Sequence, residues 1–213
     1  MKRIINFFAI IAVLAGVFSC ETYKVDEPDM TAISKVDGKY MAFAYKDGSS
    51  EPTTVFAIVI TNTTEDAADA GWITITDMDY TGLHWQHLFA VRFRLDVDAK
   101  AQTFKASNTE TIEPRTAWNP YIEGAYGSYG AFTTASYQWG NMGTTTASID
   151  GKVVTDGVTT GSGSKADSIE FTYTLNYKDG TSEKYTVKGM KKTGWAEDAK
   201  EYEDWISEQG WRP

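Results

Sequence analysis

The sequence predicts an all-β domain of antiparallel strands, a closed barrel or a sandwich, finished by one short helix. Three observations carry this. From Val36 onward the apolar residues are β-branched or aromatic and recur at every second position, the period of half-buried strands. Asp-Gly pairs at 47–48, 150–151 and 179–180 supply the positive φ that tight hairpins need, so consecutive strands are expected to be antiparallel neighbours. Helical periodicity is missing between most of these segments, which argues against a doubly wound parallel sheet.

In chain order, Lys2 and Arg3 precede an apolar run over residues 4–18, the n- and h-regions of a secretory signal. The run is shorter than the roughly 20 residues a spanning helix needs. It ends in Val17-Phe18-Ser19-Cys20, an aliphatic residue, a variable one, a small one and then cysteine. That order is read by the bacterial lipoprotein peptidase, because a thioether to diacylglycerol requires a thiol at that position. Residues 1–19 are thus expected to be a signal peptide and Cys20 the lipid attachment point. Each buried CH₂ of such an anchor contributes about 0.8 kcal/mol, so a multiply acylated cysteine stays on its membrane. Cys20 is also the sole cysteine, which excludes a disulfide framework and any thiolate metal cluster.

Cleavage before Cys20 leaves 194 of the 213 residues, with 18 basic and 29 acidic side chains and a formal charge of −11. One domain is expected, and nucleic acid would be repelled. Residues 20–35 carry Asp26, Glu27, Pro28 and Asp29 and read as a tether. The domain is expected over 36–213.

Its predicted strands cover residues 39–46, 54–61, 72–77, 89–98, 103–106, 145–149, 152–155, 169–177 and 183–189, eight or nine in all. In 89–98, Phe89, Val91, Phe93, Leu95 and Val97 fall on one face, and Arg92, Arg94, Asp96 and Asp98 on the other. Gly161-Ser162-Gly163-Ser164 reads as a hairpin loop, since no helix follows to present its amides to a phosphate. At the end, Ala199, Tyr202, Trp205 and Ile206 make an apolar stripe at helical spacing with Gly210 as a stop, expected to pack on the barrel. A barrel spanning the outer membrane fits less well, because residues 55–60 are apolar throughout and the chain ends in a helix rather than an aromatic strand.

Chemistry-bearing motifs are sparse. His84 and His87 stand three apart, which shares a helix face but not a strand face, and a surface loop explains them better than zinc. The serine-hydrolase pattern G-x-S-x-G is absent; Gly127-Ser128-Tyr129-Gly130 lacks its spacing. Asp77 and Asp79 beside Trp72 and Tyr80 read as a strand end and a polar turn. No cofactor or metal is expected. The unusual segment is 118–139, where seven of 22 residues are aromatic against 14% of the chain, with glycines at 124, 127 and 130. Tyrosine and tryptophan join apolar faces to polar tips and suit amphiphiles, sugars and protein surfaces. Trp72, Trp118, Tyr121, Tyr126 and Trp139 are therefore the candidate ligand-lining residues.

Several patches together resemble a family of lipoproteins from Bacteroidota labelled lipid-binding putative hydrolases. They are WITITD at 72–77, the strand 89–98 followed by Thr103 and Phe104, KADSIEF at 165–171, and YTVKGMKKTGW at 185–195 followed by Glu197 and Asp198. The resemblance implies a calycin or lipocalin-like antiparallel β-barrel of about eight strands around room for side chains or one small ligand. The segment 118–139 looks like an insertion in it. The label joins lipid binding to hydrolysis, but no catalytic motif carries over to these residues. The expected function is a cell-envelope lipoprotein, on the outer membrane, that binds an apolar or amphiphilic ligand in its barrel. The alternatives are a surface accessory for glycan binding and a lipid or ester hydrolase.

Overall fold

The computed structural model describes residues 30–77, 90–112 and 144–209. Eight strands form a closed antiparallel barrel in which each pairs with its sequence neighbours and the last pairs with the first: β1 (Gly38–Lys46), β2 (Thr54–Asn62), β3 (Ala70–Asp77), β4 (Ala90–Asp98), β5 (Thr103–Glu110), β6 (Thr144–Thr159), β7 (Lys165–Tyr177) and β8 (Ser182–Lys191). One helix, α1 (Ala196–Gln209), follows. Between barrel and sandwich, the chain is a barrel.

Alternation of side chains sets the two faces. Val91, Phe93, Leu95 and Val97 of β4 are buried, as are Ile169, Phe171, Tyr173, Leu175 and Tyr177 of β7, and both sets belong to one core cluster. Arg94, Asp96, Glu170 and Thr172 of the same strands are exposed. A greasy inside and a charged outside reverse the polarity of a membrane-spanning barrel.

The alternating directions of the strands put the β1–β2, β3–β4, β5–β6 and β7–β8 connections at one end, here the upper end. The long connections 78–89 and 113–143 therefore both leave from that end. The short turns 63–69, 99–102 and 160–164 lie at the lower end.

Two expectations are corrected. Asp150-Gly151 is not a turn but sits inside β6, which runs unbroken where two strands were predicted. Gly151 pairs with Phe171, and a Cβ there would meet Phe171 and the Phe104 ring, so the glycine serves close packing of the wall. Asp47-Gly48 and Asp179-Gly180 do lie in hairpin connections, with φ of 83° and 84° at their glycines. Residues 31–35, expected to belong to a tether, fold with the barrel instead. Ile33 and Val36 are fully buried in the barrel core. The turn 31–36, closed by Val36 N–H donating to the Ile33 carbonyl (2.8 Å), turns both side chains inward at the lower end. The Tyr40 hydroxyl ties this plug down by donating to the Val36 carbonyl (2.7 Å).

The apolar stripe of α1 packs on the outside of the barrel, as its spacing predicts. Tyr202 and Ile206 join Met41, Val55 and Met190 in a second buried cluster, and the Phe43 ring lies 4.7 Å from that of Tyr202. Gly210, the expected stop, lies outside the described residues.

Asp198 fixes the start of the helix. Its carboxylate is buried and accepts hydrogen bonds from the Thr193 hydroxyl and from the Ser162 amide (2.7 Å), which joins α1 to the β6–β7 hairpin. Desolvation pushes its pKa up, but the hydrogen bonds from Thr193, Ser162 and Thr160 outweigh it and hold the carboxyl at about 2, against an ordinary 3.8. A depressed folded-state pKa stabilises the fold above the unfolded value, and this is lost as pH falls through the folded one. Asp198→Asn is therefore expected to lower the melting temperature at neutral pH, with the gap to wild type closing between pH 3.8 and about 2. Melting curves across that range check this; a gap that does not narrow would contradict it.

Candidate functional site

The interior is filled by the chain itself over much of its height. Phe56, Phe93, Phe104, Phe171 and Tyr173 expose 2% of their surface or less. Their rings form a connected series. Phe104 meets Phe171 edge-on (5.9 Å), Phe171 meets Tyr173 edge-on (6.3 Å), and Tyr173 stacks on Phe93 (6.2 Å, 7° between planes). Phe56 meets both Tyr173 (6.0 Å) and Tyr185 (5.4 Å). Such pairs add about 0.5–1.5 kcal/mol each beyond their burial.

A polar cluster stands at the upper end of the barrel. At the lower end the inward side chains include Ile33, Val36, Ile60, Leu95, Val97 and Ile169, with Tyr40 and its hydroxyl among them. At the upper end they include Thr54, Thr144, Tyr177 and Tyr185, all buried. Glu183 joins them: it shares strand parity with the inward Tyr185 and Val187, at the upper end of β8. Its Oε2 accepts hydrogen bonds from the Tyr177 hydroxyl (2.8 Å) and the Tyr185 hydroxyl (3.1 Å). Its Oε1 is paired with Lys46 Nζ at 3.2 Å. The Glu183 side chain keeps 25% exposure and that of Lys46 54%, so the cluster lies at the boundary between core and solvent.

A carboxylate, an ammonium and two hydroxyls at one rim can accept from and donate to the polar group of an amphiphile, beside an aromatic floor that suits its apolar part. β1 supplies Lys46, β7 supplies Tyr177, and β8 supplies Glu183 and Tyr185. Sequence reasoning missed all four. The signal was present in the parity of β8, where a charged residue falls in register with buried ones.

Of the residues nominated from sequence, Trp72 is the one the structure describes. The pleat of β3 points Ile73 and Ile75 inward and places Trp72 on the outer face, half-buried beneath the Arg92 guanidinium (5.2 Å from carbon to ring centroid). A place inside the barrel is thus corrected to one on its outer wall. Trp118, Tyr121, Tyr126 and Trp139, like Cys20, His84 and His87, lie outside the described residues. The segment holding the four aromatics is attached at the upper end, between β5 and β6. Among the described residues no group of His, Cys, Asp or Glu is placed to hold a metal, and no helix is long and apolar enough to cross a membrane.

The model of a family described as lipid-binding putative hydrolase matches residues 25–196, most of the chain. A crystal structure of a protein of unknown function from Bacteroides ovatus is similar at 16% identity and a TM-score of 0.38, over 74% of this chain and 42% of that one. The chain thus spans less than half of that protein's length. No curated protein matches the sequence.

Proposed function

The chain belongs to the lipid-binding putative hydrolase family, and on that footing we propose that it is a cell-envelope lipoprotein, anchored through Cys20, that holds an amphiphilic, lipid-like ligand at the upper rim of its barrel. One observation carries the choice of place. The lower end is plugged by Ile33 and Val36, while a carboxylate and an ammonium join the inward tyrosine hydroxyls at the end where both long connections begin. The rim offers Lys46, Tyr177, Glu183 and Tyr185 to a headgroup. Trp118, Tyr121, Tyr126 and Trp139, in the connection attached there, are the proposed contacts to the tail.

Native mass spectrometry of the protein purified from its own envelope tests this. An adduct with the mass of a lipid-like molecule is expected, and the double variant Trp118→Ala, Trp139→Ala should lose it at an unchanged melting temperature. Protein free of any adduct, or an adduct retained in full by the variant, would contradict the reading.

A further inference from the structure

The outer wall of β3 and β4 carries an arrangement that the rim does not explain. Arg92 and Arg94 stand on the same outward face of β4, with Thr74 and Trp72 as their respective partners across the ladder. The Arg92 guanidinium lies over the Trp72 ring. Its Nε is buried and has no hydrogen-bond partner. Among the described residues neither arginine forms an ion pair, although the chain holds 29 acidic side chains. Asp96, next along the same face, stands opposite Lys105.

A buried donor without an acceptor is rare in native proteins, and each such group asks for an explanation. Stacking on tryptophan orients a guanidinium but satisfies none of its N–H groups. What does satisfy them is a planar or tetrahedral anion taken by the fork of donors. We propose that Arg92, Arg94 and Trp72 form a binding site for a carboxylate or phosphate group on the outside of the barrel, separate from the rim. Arg92 is held in place by the indole, and Arg94, on the same face, adds a second positive charge. The anion is either free or the headgroup of an amphiphile.

Calorimetric titration of the full mature chain with inorganic phosphate, dodecyl phosphate and uncharged dodecyl maltoside tests this and separates the sources. The anions should bind, and Arg92→Gln or Arg94→Gln should each weaken them by about tenfold or more. Dodecyl maltoside should be indifferent to both substitutions. Arg92→Lys keeps the charge without the fork and should fall between wild type and Arg92→Gln. Dodecyl phosphate bound more tightly than phosphate assigns the site to a lipid headgroup, and equal affinities assign it to a free anion. Wild type that binds neither anion, or glutamine variants that bind them as wild type does, would overturn the proposal.

Discussion

Gly189→Ala is expected to open the barrel. A Cβ at this position of β8 would meet the Met41 carbonyl oxygen and the Cα and Cβ of Ala42 in β1. These are not the far ends of flexible side chains. Two of the three atoms are backbone, held by a ladder that pairs Ala42 with Gly189 and continues from Tyr40 to Lys46. The clash is relieved only by moving β1 away from β8, which is the seam that closes the barrel. Overpacking a well-filled site typically costs 1–3 kcal/mol, and a cost at or above roughly 3 kcal/mol is expected here because backbone must move. Gly48→Ala makes the contrast. Gly48 has φ of 83° and nothing within 4 Å of an added Cβ, so only the left-handed backbone penalty of about 1–2 kcal/mol applies. Urea unfolding of the two variants checks the order; equal losses would show that β1 and β8 approach less closely than described.

Phe93→Ala is expected to cost about 3–5 kcal/mol, through lost burial and the cavity left behind. Phe93 is fully buried, stacks on Tyr173, and lies opposite Ile73 in the β3–β4 ladder. Its neighbour β5 is not positioned to close the gap. The β4–β5 register extends only from Asp98–Thr103 to Asp96–Lys105, and β5 shifts register against β6 between Ala106 and Thr109. For a domain of this size the loss corresponds to roughly 6–20 °C in melting temperature. Phe93→Leu keeps most of the volume and should cost much less. A thermal melt of Phe93→Ala close to that of wild type would mean that the ring series does not support the barrel.

The strands were legible because burial on one face imposes a period of two that only a sheet satisfies. β4 shows it from Val91 to Val97 and β7 from Ile169 to Tyr177. What misled was local chemistry with two uses. Asp-Gly marks a hairpin at residues 47–48 and 179–180, yet at 150–151 the glycine makes room for Phe104 and Phe171 within one strand. Ile33 and Val36 sit next to an acidic, proline-containing stretch, where an i, i+3 pair is too short a pattern to distinguish a plug from a tether. Trp72 could have been placed from sequence, since it shares parity with Thr74 and Thr76 rather than with Ile73 and Ile75. The rim could not be assembled that way. Lys46 and Glu183 are far apart in the chain, and closure of β8 onto β1 is what joins them.

The most direct measurement is an experimental structure of the protein purified from its own envelope with its lipids retained. The account predicts elongated density at the upper rim, its polar end beside Tyr177, Glu183 and Lys46, with Phe93 and Phe171 unmoved beneath it. A lipid threaded down the axis with those rings displaced, or a bare rim in protein shown to carry lipid, would contradict it.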